Sequence, residues 1–301
     1  MSGVLKTVGE LVKDKIENPA LLFNKLLPFL LGEEIYTVQK PKDYSEKAWK
    51  RFKESLASWN VPVPEPIGMC IMEATTAYRL AIGMGYPSLF ENGLLFHHTY
   101  GVPYIPGESL KGLARAVLLL SIYEKEEVKS KFGSLSQLEE YLLKKSKDFE
   151  KDERTSLLDR LEIEIIFDED NFKIKKAHRV FREIFGTTER RGQVIFFDAF
   201  PKNFIPSEHL EIDIMNVHYQ SYYQNKKEPG DWEDPNPVKF LVVKEGVTFS
   251  ICIDVEPLSN DFDKEKTIEI IEIVRRLLKV GLENFGLGGK KRKGYGWFEV
   301  S

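Results

Sequence analysis

Four consecutive cations, Lys290, Lys291, Arg292 and Lys293, stand inside the run Phe285-Gly-Leu-Gly-Gly-Lys-Lys-Arg-Lys-Gly-Tyr-Gly-Trp. With so little side-chain bulk around them, the backbone N–H groups of Gly288 and Gly289 can reach an anion while the cations neutralise a phosphate backbone. The run is not a Walker A loop, because no Gly-Lys pair is followed by Ser or Thr. Nor is it a dinucleotide fingerprint, since it follows a helix and precedes a strand, the reverse of the required order. Lys293-Gly-Tyr-Gly-Trp-Phe-Glu-Val approximates an RNA-recognition strand in its first positions, but that pattern belongs on a third strand and this one is the last. A flexible turn with solvated lysines has the same composition.

The second candidate is Tyr104-Ile-Pro-Gly-Glu-Ser-Leu-Lys-Gly-Leu-Ala-Arg. A Pro106-Gly107 turn delivers Ser109, a good N-cap, to a helix start whose free N–H groups attract phosphate. Lys111 and Arg115, four apart, share one exposed face beside it. Taken alone, this is also what any well-capped helix looks like. Metal-independent RNA cleavage would want a general base near neutral pH, for which His97 and His98 stand just upstream, or a loop aspartate such as Asp231 or Asp234. Adjacent histidines on a strand point to opposite faces and make a poor acid–base couple. His178, His209 and His218 are scattered without metal-ligand spacing. The chain therefore reads as a non-enzyme, with no cofactor and no metal.

The elements that must position these residues fall into two parts. Residues 1–66 form an N-terminal helical segment, Lys-, Leu- and Glu-rich and interrupted by Pro19, Pro28 and Pro41, with Trp49, Phe52, Leu56 and Trp59 at helical spacing. Val-Pro-Val-Pro-Glu-Pro at 61–66 ends it. Residues 67–301 are mixed α and β. The patterns predict a strand over 74–84 and a helix over 109–123 with a Leu110, Leu113, Ala114, Val117, Leu118 stripe. An acidic, exposed helical insertion spans about 121–185, and a buried strand follows over 193–200. Strict alternation predicts a strand over 247–255 with one buried face. A helix over 263–280 turns Ile270, Ile271, Val274, Leu277 and Leu278 inward and pairs Glu272 with Arg276 outside. A last strand spans 295–300. Two strand–helix–strand units in tandem predict an α+β fold of the ferredoxin-like, RRM-like plan.

Residues 212–240 fit neither unit. They carry Tyr219, Tyr222, Tyr223 and Trp232 among polar residues and turn signals, too many aromatics for a solvated loop. Such side chains suit base stacking or protein anchoring, or they fold back over an apolar patch.

The 301 residues are 42% apolar, enough for a sizeable core, and no run approaches the length of a membrane span. The start lacks the features of a signal peptide. Cys70 and Cys252 read as a free, reduced pair in a soluble cytoplasmic protein. The net charge of −4 does not by itself suggest nucleic acid. It is unevenly spread: residues 121–170 carry −6, whereas 171–192 carry +5 and 271–301 carry +4. An acidic middle thus masks two basic stretches, which solvated faces would also produce.

Together, the Ile-Pro-Gly-Glu-Ser-Leu-Lys-Gly helix start and the C-terminal glycine-rich loop resemble the CRISPR RAMP superfamily of RNA-binding proteins. The segments His98-Thr-Tyr-Gly-Val-Pro-Tyr, Phe185-Gly-Thr, Gly192-Gln-Val-Ile-Phe-Phe-Asp-Ala, Met215-Asn-Val-His-Tyr and Asp231-Trp-Glu-Asp-Pro-Asn-Pro are similar to the sixth subunit of the type III-B Cmr effector complex. They cover about residues 70–301; the N-terminal 60 residues carry no such motif. The resemblance implies a ferredoxin-like RAMP core and a non-catalytic subunit that binds guide RNA and caps the backbone filament in antiviral defence. Its implied partners are guide RNA, target RNA and other Cmr subunits, with no membrane. Ser109, Lys111, Arg115, Gly288, Gly289 and Lys290 to Lys293 would be its RNA-binding residues. The 212–240 stretch would be a thumb that reaches a partner through Tyr219, Tyr222, Tyr223 and Trp232. The alternative within the superfamily is a metal-independent endoribonuclease using His97 or His98.

Overall fold

The computed structural model describes residues 49–50, 52–56, 62–86, 88, 92–144, 153–167, 170–217, 228, 236–257 and 264–301. Strand β1 (Met69–Thr76) is followed by helices α1 (Gly107–Tyr123), α2 (Glu126–Phe132), α3 (Leu135–Leu142) and α4 (Glu153–Arg160). Strands β2 (Glu162–Phe167) and β3 (Asp170–Lys175), helix α5 (Ala177–Phe185), strands β4 (Val194–Phe196) and β5 (Phe200–Pro201) and the short helix α6 (Pro206–His209) come next. Strands β6 (Leu210–Val217), β7 (Asn236–Val243) and β8 (Thr248–Val255), helix α7 (Lys264–Val280) and strand β9 (Phe298–Val300) complete the order.

The central sheet runs β4-β8-β1-β9, with β5 also paired to β8, and every pairing is antiparallel. Helix α1 connects β1 to β4 and α7 connects β8 to β9, so each strand–helix–strand unit is split by a strand of the other. Met72, Ala74 and Thr76 alternate as the buried positions of β1. Leu110, Ala114, Val117 and Leu118 of α1 and Ile270, Val274, Leu277 and Leu278 of α7 are buried in the same core.

Several elements differ from the patterns that predict them. The strand expected over 74–84 ends at Thr76, because Leu80 leaves the sheet and exchanges both backbone hydrogen bonds with Val243 of β7 (2.8 and 3.0 Å). The apolar run Leu80-Ala-Ile is buried there without being strand. The strand expected over 193–200 breaks between Phe196 and Phe200, since Ala199 pairs with Ile105 instead of β8. In β8 both faces are buried from Phe249 to Ile253, where strict alternation predicts one. Helix α7 buries Ile273 where the stripe points to Ile271, while the Glu272–Arg276 pair forms at 2.7 Å as expected. The last strand shortens to Phe298–Val300.

The insertion is not wholly helical: β2 and β3 form an antiparallel hairpin between α4 and α5. It is also not merely exposed, since Val128, Phe132, Leu138, Tyr141, Leu142, Leu157 and Leu158 enter the core. Cys70 and Cys252 are not free. The β1–β8 register sets them opposite each other, and they form a disulfide. Of the N-terminal helical segment, residues 1–48, 51 and 57–61, with Trp59 among them, lie outside the described residues; Trp49, Phe52 and Leu56 are helical and buried.

His178 on α5 is 1% exposed, and burial pushes its imidazole down to about 4, against the upward pull of Asp159 3.5 Å away. A base whose folded pKa is depressed stays neutral while the unfolded chain takes up a proton. Its contribution is therefore intact above about pH 6.5 and is lost as the pH falls toward 4. Urea denaturation of His178→Gln at a series of pH values should show a shallower loss of stability across that window, by up to about 1.4 kcal/mol per pH unit. Parallel curves for wild type and variant would assign the acid sensitivity elsewhere.

Candidate nucleic-acid interface

Helix α1 starts two residues earlier than Ser109. Pro106 is the N-cap position and offers no side-chain bond, while Ser109 lies inside the first turn with its N–H donating to Pro106 O at 2.9 Å. The cap comes from elsewhere: Asp198 Oδ1 accepts from Gly107 N–H at 2.8 Å. A carboxylate therefore already occupies the place that an external phosphate would take at this N–H. Gly107 is required by the close approach, since a β-carbon there would stand 2.1 Å from Phe196 O. Asp198 could not be foreseen as the cap from spacing; its one signal is the Asp that ends the apolar run Val194-Ile-Phe-Phe.

Lys111 and Arg115 part company. Lys111 is half-buried on the first turns of α1. Arg115 is bound inward: its Nη2 pairs with Glu139 Oε1 at 2.9 Å, and its guanidinium lies 5.7 Å from the Phe181 ring centre. It links α1 to α3 and α5. Leu113 nevertheless brings α1 to the segment that leads into the glycine-rich loop, because Gly281 packs directly on its side chain.

That segment is a π-helical turn, Gly281–Phe285, which continues α7. The loop after it is ordered by backbone bonds rather than free. Gly289 N–H donates to Ala81 O at 2.7 Å, Gly296 N–H to Arg79 O at 2.8 Å and Leu287 N–H to Gly296 O at 2.8 Å. A β-carbon at Gly296 would stand 1.8 Å from Leu287 O, so only glycine fits. The N–H of Gly289 is thus spent within the fold and not open to an anion, while Gly288 is exposed. The four cations also separate. Lys290, with φ 55°, turns its ammonium back over the Phe240 ring at 5.1 Å. Lys291, Arg292 and Lys293 form a 3₁₀ turn and are exposed.

The β6–β7 hairpin stands against this loop. Arg79 makes a two-pronged contact to Glu211 (3.0 and 3.2 Å) and reaches Asp213 at 3.4 Å. Tyr295 donates its hydroxyl hydrogen to Asp213. Burial first, and then this bond, push the Tyr295 phenol up, so it is neutral at physiological pH. Phe240, Val242, Ala81 and Tyr295 make a small buried cluster beneath. Of the stretch expected to be a thumb, residues 212–217 and 236–240 are strands of this hairpin, while Tyr219, Tyr222, Tyr223 and Trp232 lie outside the described residues, as do Asp231, Asp234 and His218.

His97 sits in an aromatic nest, its ring centre 4.7 Å from Tyr100, 5.4 Å from Tyr104 and 5.3 Å from Phe200. Its Nδ1 accepts from Tyr100 N–H at 3.4 Å. His98 is exposed beside it. Among the described residues, no group of three His, Cys, Asp or Glu could hold a metal, and no helix is long and apolar enough to cross a membrane.

The family model of the RAMP superfamily matches residues 73–299, from β1 to β9. The chain belongs to the RAMP superfamily. It is similar to the CRISPR system Cmr subunit Cmr6 of Pyrococcus furiosus, with 30% identity over 310 aligned positions that cover 98% of this chain and 85% of the relative. That relative bears out the likeness to a sixth Cmr subunit carried by the sequence motifs. The crystal structure of Cmr6 from Pyrococcus furiosus is 28% identical, with a TM-score of 0.43 over 75% of this chain and 95% of that one. A chain in the cryo-EM structure of the type III-B Cmr-beta bound to cognate target RNA is 20% identical, with a TM-score of 0.49 over 100% of this chain and 97% of that one.

The inward placement of Arg115 in this RAMP-superfamily chain has a measurable consequence. Arg115→Ala should lower stability by about 1 kcal/mol, read as a Tm lower by roughly 2–4 °C, and leave RNA affinity within twofold of wild type. A tenfold loss of RNA binding at unchanged Tm would return Arg115 to the interface.

Proposed function

We propose that this chain is an RNA-binding, non-catalytic subunit of a type III-B CRISPR RNA-guided effector complex in the cytoplasm. In this reading it binds guide RNA, meets target RNA and neighbouring Cmr subunits, and caps the backbone filament in antiviral defence. The observation that carries the reading is the near full-length similarity to the Cmr subunit of Pyrococcus furiosus. The β9-β1-β8-β4 order with its two helical crossovers supports a ferredoxin-like description of the core. The helical segment up to residue 66 and the insertions at about 121–185 and 212–240 are then additions to that core.

RNA binding is supported by charge placed where no counter-charge meets it. Lys291, Arg292 and Lys293 are exposed and have no ion-pair partner among the described residues. Phosphate contacts of this kind set affinity and position without reading sequence. The non-catalytic role is supported by His97, whose Nδ1 and ring faces are engaged within the fold.

Co-purification from the native host, with sequencing of the bound RNA, tests the assignment: Cmr subunits and guide RNA should come with the chain, and their absence would end the reading. Replacing Lys291, Arg292 and Lys293 together with Ala should weaken binding and flatten the slope of log K against log salt by about 2 for single-stranded RNA. An unchanged slope would remove the loop from the interface. Purified protein incubated with guide-complementary RNA, with or without Mg²⁺, should leave it intact; cleavage lost in His97→Ala or His98→Ala would make it a nuclease.

A further inference from the structure

Trp297 is 39% exposed at the end of the glycine-rich loop, and Phe285 at its beginning is 42% exposed. Large aromatic side chains are seldom left in water without a partner. Trp297 stands in the stretch that approximates an RNA-recognition strand, and phosphate binding by the loop makes no use of its indole.

Trp297 is held in place rather than dangling. Its carbonyl accepts from Ala77 N–H at 2.9 Å, and the preceding Gly296 is tied to both Arg79 and Leu287. Its indole Nε1–H donates to Lys291 O at 3.3 Å, which fastens the ring edge to the cationic 3₁₀ turn. Gly286 lies beside the ring, where a β-carbon would stand 3.3 Å from Trp297 Cδ1. The indole is therefore pre-positioned, so a ligand meeting it need not order it first.

The surroundings decide what that ligand is. Lys291, Arg292 and Lys293 stand on the turn that the indole touches, exposed and without ion-pair partners among the described residues. An aromatic face beside several cations suits a chain that alternates flat rings with negative charges, as single-stranded nucleic acid does. In a duplex the base faces are already stacked and unavailable. We propose that Trp297 is a stacking platform for one unpaired nucleobase of RNA, with Lys291, Arg292 and Lys293 holding the phosphates on either side of it. This inference rests on the RNA-binding reading and adds a base contact to it.

The test uses the full chain with two fluorescein-labelled probes: a short oligouridylate and an abasic ribose-phosphate oligomer of equal length. Wild type should prefer the oligouridylate. Trp297→Ala should lose affinity for it on the order of tenfold to a hundredfold, at an unchanged salt slope and with no change for the abasic oligomer. Trp297→Phe should recover most of the loss, which guards against an Ala variant that simply misfolds. Equal affinity of wild type for both probes, or a Trp297→Ala variant that binds oligouridylate as wild type does, would overturn the stacking while the salt slope keeps the RNA-binding reading. No salt-dependent binding of either probe by wild type would overturn both. A Trp297→Ala variant that binds RNA normally but no longer co-purifies with other subunits would make the indole a protein-docking residue.

Discussion

Three consecutive residues, Arg79, Leu80 and Ala81, hold the glycine-rich loop and the β6–β7 hairpin together through their backbone. Arg79 O receives Gly296, Ala81 O receives Gly289, and Leu80 exchanges both of its bonds with Val243. The glycine-rich loop, the β6–β7 hairpin and the end of β1 thus meet on one short stretch of chain. Leu80 and Ala81 are completely buried, so these bonds are shielded from competing water. The glycines follow from that constraint: a loop that must lie against another backbone on two sides has no room for side chains. What sequence composition presents as flexibility is close packing.

The side chains repeat the connection. Arg79 binds Glu211 and Asp213, Tyr295 binds Asp213, and Lys290 covers Phe240. The hairpin and the loop are therefore one structural unit. A load on one is felt by the other through short, partly buried bonds.

The charge distribution shows how an acidic chain keeps a local cationic surface. Many of its cations are used internally: Arg115 on Glu139 and Phe181, Arg182 on the carbonyls of Leu142 and Lys144, Arg276 on Glu272 and Phe172. Lys291, Arg292 and Lys293 on the 3₁₀ turn have no ion-pair partner among the described residues, so a local positive field stands there whatever the net charge. The same economy applies at α1, where Asp198 supplies the negative charge the helix start favours and makes that position self-sufficient.

The sequence by itself determined the class of fold and the family. Alternation in β8, the apolar stripes of α1 and α7 and the combination of motifs are local patterns, and local patterns survive in one dimension. It also marked out the cationic loop as a feature, because glycine density and consecutive charge need no partner to be seen. Only the tertiary structure decided what each of those residues does. Ser109 looks like a cap, but Asp198, about ninety positions away, is the cap. Arg115 looks exposed until α3 and α5 pack over it. Cys70 and Cys252 look free until the β1–β8 register sets them face to face. Trp297 reads as part of the last strand until the structure starts that strand at Phe298 and leaves the indole partly exposed. In every case the deciding neighbour is distant in sequence, and spacing along a chain carries no information about which distant groups a fold will bring within hydrogen-bond reach.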